Sequence, residues 1–232
     1  MTLLTLAAIA AAVWWWRYRR PAAGAGASAE ARARALLTPW VRIAERLGIR
    51  TQAAALARRS RQGAEGERRT AALLAPLARE GWHVYHDLAV PGRGRMNVDH
   101  LLISPAGHVV LPDSKKWSAR QPVTIRAGRL LHGTADVTAR LNGLRAEIAA
   151  VSEILGVPVT PLVVMHDAPL VGPRGRTATS LDLAGIRIVP AARLLAHLRT
   201  PPPLPAPRRP VADLAHAVTR RLPAYTRYHQ RP

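Results

Sequence analysis

Two short apolar runs separated by four residues dominate the middle of the chain. Val98–Ile103 is followed by Ser104-Pro105-Ala106-Gly107 and then by His108–Ser114. So short a connection permits only antiparallel pairing, because parallel neighbours need a crossover of a dozen or more residues. Trp82–Leu88 alternates like a strand, and Pro91, Gly92 and Gly94 mark the turn that separates it from Val98. Before these strands, Ala64–Arg79 has helical spacing, with Leu73, Leu74 and Leu77 on one stripe, Pro76 as a kink and Gly81 as a stop. After them come a short strand Val123–Ile125 ending at Arg126, a return over Arg129–His132, and a long helix over Asp136–Leu155. Val159–Met165 reads as a buried strand, Ile186–Val189 as a short one and Ala191–Leu198 as a helix. The core order is helix, three strands, a short hairpin, helix and strand.

The hairpin carries the chemistry. Asp99 lies on its first strand and Asp113 on its second, so the turn sets two carboxylates side by side. Strand alternation puts Asp113 and Lys115 on one face and Ser114 on the other. Two carboxylates and the Ser114 backbone carbonyl make a hard oxygen site suited to Mg2+ or Mn2+. Lys115 and Lys116 are the only lysines in the chain; every other strong base is arginine. Lysine is a compact ammonium whose pKa can fall on burial, which a guanidinium does not imitate. Beside a metal it can position or activate water. Pro112 stands inside the same strand, where proline removes a ladder donor and prefers an edge or a bulge.

The ends of the chain are different in kind. Met1–Trp16 holds no charged side chain, closes on Trp14, Trp15 and Trp16, and is followed by Arg17, Tyr18, Arg19 and Arg20. As a helix it spans roughly 24 Å against a hydrocarbon core of about 30 Å. Interfacial aromatics and then arginines predict an N-terminal transmembrane helix at the cell membrane, single-pass, with the rest on the cytoplasmic side. Pro21–Ser28 reads as a linker and Ala29–Leu47 as an alanine-rich helix that Pro39 kinks or breaks. Arg32, Arg34, Arg42 and Arg46 suit an anionic leaflet, where each basic residue contributes about 1 kcal/mol. Pro201–Pro210 is proline-rich and Val211–Leu222 helical. The expected segments are 1–20 (anchor), 21–62 (linker and basic helical region), 63–199 (globular domain) and 200–232 (proline-rich segment and basic tail). A formal net charge of +20 favours polyanionic partners, nucleic acid or an anionic membrane surface. Cysteine is absent, which excludes disulfides, thiolate catalysis and zinc–thiolate sites. No phosphate loop or serine-nucleophile elbow is present.

From about Gly63 to Leu198 the chain resembles the nuclease-related domain (NERD) family of the PD-(D/E)XK nuclease superfamily. The residues that carry the resemblance are Gly63, Gly66-Glu67, Gly81-Trp82, Val98-Asp99-His100-Leu101-Leu102-Ile103, Gly107, Asp113-Ser114-Lys115 and Trp117, in that order. The resemblance implies a restriction-endonuclease-like α/β core, a mixed sheet flanked by helices, and metal-dependent hydrolysis of phosphodiester bonds; the expected partner is nucleic acid, DNA ahead of RNA. By the same carry-over Asp99 and Asp113 are metal ligands, Lys115 positions water, and Glu67 is an assisting acid on the preceding helix. The long helix after the sheet lacks the glutamine that some relatives carry. A module on the same fold that binds nucleic acid or scaffolds at a membrane without cutting is the alternative.

Overall fold

The protein is described by a computed structural model covering residues 24–200 and 209–228. The expected anchor Met1–Trp16 and most of the proline-rich segment lie outside those residues. Among the described residues no helix is long and apolar enough to cross a membrane.

The chain opens with three helices, α1 (Ala27–Leu36), α2 (Pro39–Arg46) and α3 (Gln52–Leu74). Pro39 does more than kink the expected single helix. It ends α1 and takes the first position of α2, where its missing N–H is no loss, and the Thr38 hydroxyl caps the new helix by accepting from Val41 N. Thr51 caps α3 in the same way through Ala54 N at 3.1 Å. α3 starts twelve residues before the expected Ala64 and runs through Gly63 and Gly66 without a break. At Pro76 it tightens into 3-10 turns over Ala75–Glu80, which Gly81 ends in the left-handed region at φ 81°.

A six-stranded sheet follows, built from β1 (His83–Ala89), β2 (Asn97–Ile103), β3 (Val109–Lys116), β7 (Val159–His166), β8 (Leu181–Leu183) and β9 (Ile186–Pro190). Its order is β1-β2-β3-β7-β9-β8, with β3–β7 and β7–β9 parallel and the other pairs antiparallel. A second, three-stranded sheet comprises β4 (Val123–Arg126), β5 (Arg129–His132) and β6 (Ala135–Asp136). The long helix expected from Asp136 starts later. Asp136 closes β6, Thr138–Leu141 is a 3-10 turn, and α4 is Asn142–Leu155. Asp136 turns the chain there by accepting from Thr138 N at 2.9 Å. α5 (Leu194–Arg199), α6 (Val211–Arg221) and the short α7 (Tyr225–Tyr228) complete the chain.

Each face of the large sheet carries its own core. Leu101, Leu111, Val163 and Met165 pack with Leu144 and Val151 of α4 and Leu214 and Val218 of α6. Leu102, Val110, Leu162 and Val164 pack with Leu74 at the end of α3 and with Leu194 and Leu198 of α5. The result is an α/β/α sandwich around a mixed sheet, the α/β arrangement that the resemblance implied.

Candidate active site

The β2–β3 ladder is short. It pairs Leu102 with Val110 and Ile103 with Val109, and then stops. Counting on in that register sets Asp99 opposite Asp113, on the face that α4 covers. On its other edge β3 stays paired with β7 at every residue, including Pro112↔Leu162 and Asp113↔Val163. Toward β2, Pro112 thus lies beyond the end of the ladder, at a locally unpaired edge, and it is not in a bulge. The β2 side of β3 no longer needs a donor there, so proline is tolerated without a shift in the register of Asp113.

Lys115 follows Asp113 on the same face. Its Nζ lies 2.8 Å from Asp113 Oδ1 and 2.6 Å from Oδ2. Burial alone pulls this ammonium down, but Asp113, then Asp99 and Glu147, outweigh it and leave its pKa above the ordinary lysine value. The expectation that burial makes Lys115 readily titratable is thus reversed: three carboxylates hold its proton. The neighbouring lysine points elsewhere. Lys116 Nζ meets Glu65 at 3.3 Å and Asp167 at 3.6 Å.

Buried carboxyl groups crowd this ammonium: Asp113, Asp99 and Glu147 act on Lys115, and Glu67 joins them through Asp99 and Asp113. Burial lifts Asp99 well above the usual range, with Glu67, Asp113 and Glu147 adding to the rise and Lys115 opposing it. Glu147, on α4, is pushed up to about 8 by burial and then by Asp113. Glu67 is buried on α3 and raised to about 7, by burial first and then by Asp87, while a backbone hydrogen bond from Gly26 pulls it back. Glu67 comes from the opposite layer of the sandwich and couples to Asp113 past the end of the β2–β3 ladder. Its Oε2 is buried with no hydrogen-bond partner.

Gly66 explains how α3 comes so near. A Cβ built there would stand 3.4 Å from Lys116 Cβ and 3.8 Å from Ser114 Cβ, so only a very small residue fits between helix and strand. Behind the sheet, a chain of buried polar groups braces the same helix. His86 Nδ1 lies 2.7 Å from His100 Nδ1, and His100 Nε2 lies 3.3 Å from Ser114 Oγ. Ser114 Oγ donates to Thr70 Oγ1 at 2.8 Å, and Thr70 Oγ1 lies 2.8 Å from His166 Nε2. His100 also bonds the Glu67 backbone, and burial holds its pKa well below the ordinary histidine value. It is a neutral strut for the helix that carries Glu67. The Ser114 side chain belongs to this strut as well, leaving only its backbone carbonyl as a donor for the site.

Two contributors escape sequence reasoning. Glu147 looks like a surface carboxylate on an amphipathic helix. The other is the N-terminus of α1, which precedes the expected domain. Ser28 N donates to Asp87 Oδ2 at 3.2 Å, and Asn97 Nδ2 donates to both Ser28 Oγ and Asp99 Oδ1 at 3.1 Å. Asp87 falls opposite Asp99 in register, between His86↔His100 and Leu88↔Val98, and its φ of 51° interrupts the ladder at that step. Arg93 of the Gly92-Arg93-Gly94-Arg95 turn pairs with Glu153 at 2.6 Å, which gives that turn a structural partner.

Among the described residues no three histidine, aspartate or glutamate side chains are close enough to hold a metal ion as they stand. The donor chemistry nevertheless fits a hard divalent cation. The donors are carboxylates, the buried Glu67 Oε2 and Asp113 Oδ2 have no hydrogen-bond partner, and a single ammonium faces three acids.

Comparison with known families agrees with the motifs. Residues 62–166 match the model of the nuclease-related domain family, a span from the middle of α3 to the last residue of β7. No curated protein and no solved structure matches the chain. The match contains Glu67, Asp99, Asp113, Lys115 and Glu147, so the residues of the site lie within the span that is similar to the nuclease-related domain family.

Proposed function

We propose that this chain is a metal-dependent hydrolase of nucleic-acid phosphodiester bonds with a restriction-endonuclease-like core. The observation that carries the reading is the acidic cluster Glu67, Asp99, Asp113 and Glu147 around the lone ammonium of Lys115. Asp99 and Asp113, with the Ser114 carbonyl and Glu67, would hold Mg2+ or Mn2+. A bound cation supplies Lewis acidity and neutralises charge on the scissile phosphate. Lys115 keeps its proton and acts as a donor. Lys115 donates a hydrogen bond to Asp113 Oδ1 and lies 2.6 Å from Oδ2, which leaves an N–H to orient water or a phosphate oxygen. Glu67, at about 7, is the group of the cluster best matched to exchange a proton near neutral pH. The arginine-rich surface supplies salt-sensitive affinity for the backbone, DNA ahead of RNA. Met1–Trp16 anchors the chain in the cell membrane with the domain on the cytoplasmic side.

Cleavage of single- and double-stranded DNA and RNA by the full chain, with Mg2+ or Mn2+ and then with chelator, tests the reading. Asp113→Asn should abolish cleavage and leave salt-sensitive binding in place. One observation favours a second reading: Lys115 lies against both Asp113 oxygens. A domain locked in that pair binds nucleic acid without cutting it. Salt-sensitive binding by the natural chain, with no cleavage of any substrate, would select that reading. Fractionation tests the anchor, and recovery of the full chain among soluble proteins at low and high salt would refute it.

A further inference from the structure

The large apolar side chains that stand exposed among the described residues all fall within one stretch: Trp40, Ile43, Leu47, Ile49 and Leu56. Trp40 is 79% exposed and Leu47 70%. On and just beyond α2, Trp40, Ile43 and Leu47 follow the i, i+3, i+7 spacing of a single stripe. α2 itself buries no residue. A contiguous apolar patch of this kind on a soluble surface marks a docking face.

The charge around the patch identifies what docks. Arg42, Arg46, Arg50 and Arg59 are exposed beside it. Glu45 is the one acid between Thr38 and Arg59, and Arg58 pairs with it at 3.2 Å. Apolar side chains along one side of a short helix, with arginines on the other, form an interfacial pattern. Arginine stems can lie along the acyl boundary while their guanidinium heads reach headgroup phosphates. We propose that α2 and the following Leu47–Leu56 stretch seat on an anionic lipid bilayer, with the stripe at headgroup depth. This contact is separate from any insertion of Met1–Trp16 and does not rest on the nuclease reading.

The chain has no cysteine, so one introduced thiol carries one label. Full-length Ile43→Cys and Leu47→Cys, each spin-labelled, are bound to vesicles of phosphatidylcholine with or without phosphatidylserine. Accessibility to oxygen and to a nickel chelate reports depth. Arg126→Cys, on the exposed β4–β5 turn, is the control. The expected result is a several-fold rise in the oxygen-to-nickel ratio at both α2 sites with phosphatidylserine, a smaller rise without it, and none at residue 126. A water-like ratio at residues 43 and 47 in both vesicles would overturn the proposal, even if Met1–Trp16 tethers the chain. Immobilised labels with spin–spin broadening in the absence of lipid would also overturn it, in favour of a second copy as the occupant. An equal rise at residue 126 would do so too, since the contact would then not be specific to α2.

Discussion

Replacing Glu147 with glutamine measures the strain in the acidic cluster without any assay of cleavage. The folded carboxyl titrates at about 8, against an ordinary glutamate value of 4.5. Between those values the folded state keeps a proton that the unfolded state has released, so stability falls as pH rises through the window. At about 1.4 kcal/mol per unit, the full difference corresponds to a ceiling of roughly 5 kcal/mol above the folded pKa. Glu147 is only partly buried, and solvent screening brings the expected figure to about 2 kcal/mol. Glutamine keeps the shape and polarity of the protonated acid and never ionises. Glu147→Gln and the natural chain should therefore unfold alike in denaturant at about pH 5, with chelator present. At about pH 9 the variant should be the more stable by about 2 kcal/mol. Equal differences at both ends, or a variant weaker at high pH, would show that Glu147 does not share a field with Asp113 and Glu67.

Three further outcomes are expected. Binding of Mg2+ near neutral pH should release protons, because Glu67 and Glu147 titrate at about 7 and about 8 and must ionise to act as ligands or neighbours; calorimetry in buffers of different ionisation enthalpy reads the number, and a value of zero refutes the coupling. Lys115→Ala should abolish cleavage and lower stability by about 2 kcal/mol, because Asp113 loses its partner among other acids. Lys115→Arg should restore stability yet cleave on the order of a hundredfold more slowly, since a fork spanning both Asp113 oxygens leaves the donor for water misplaced; equal rates for Lys and Arg would reduce Lys115 to a plain charge. Thr70→Val should destabilise by about 1–3 kcal/mol in thermal or denaturant unfolding, because it leaves Ser114 and His166 short of a partner in the buried chain.

The core of the site was legible because it depends on short-range rules. A four-residue turn fixes a hairpin, a hairpin fixes register, and strand alternation separates Asp113 and Lys115 from Ser114. Glu67 was reached only through the family resemblance, since nothing local says that a helix acid will meet a strand acid. Glu147 was not reached at all: its place is set by how α4 is rotated on the sheet, which depends on Leu144, Val151 and their partners rather than on its neighbours in sequence. His100 is a brace, a role visible only once His86, Ser114 and Thr70 are seen in line with it. The start of α3 was missed because Arg58, Arg59 and Arg61 give its first turns the polarity of a solvated segment, although Ala54 and Ala57 are fully buried.

The unbroken run of α3 also sets a distance. Leu56 stands exposed near one end, and Glu67 is buried eleven positions later. At 1.5 Å per residue, about 16 Å of continuous helix lies between them. A helix of this kind passes on a displacement rather than absorbing it, so whatever takes hold of Leu56 also sets how far away Glu67 stands. The helix is a gauge whose reading is fixed by residue count. Adding or removing a turn between the two residues would reposition the chemistry relative to whatever Leu56 rests on, without altering either end.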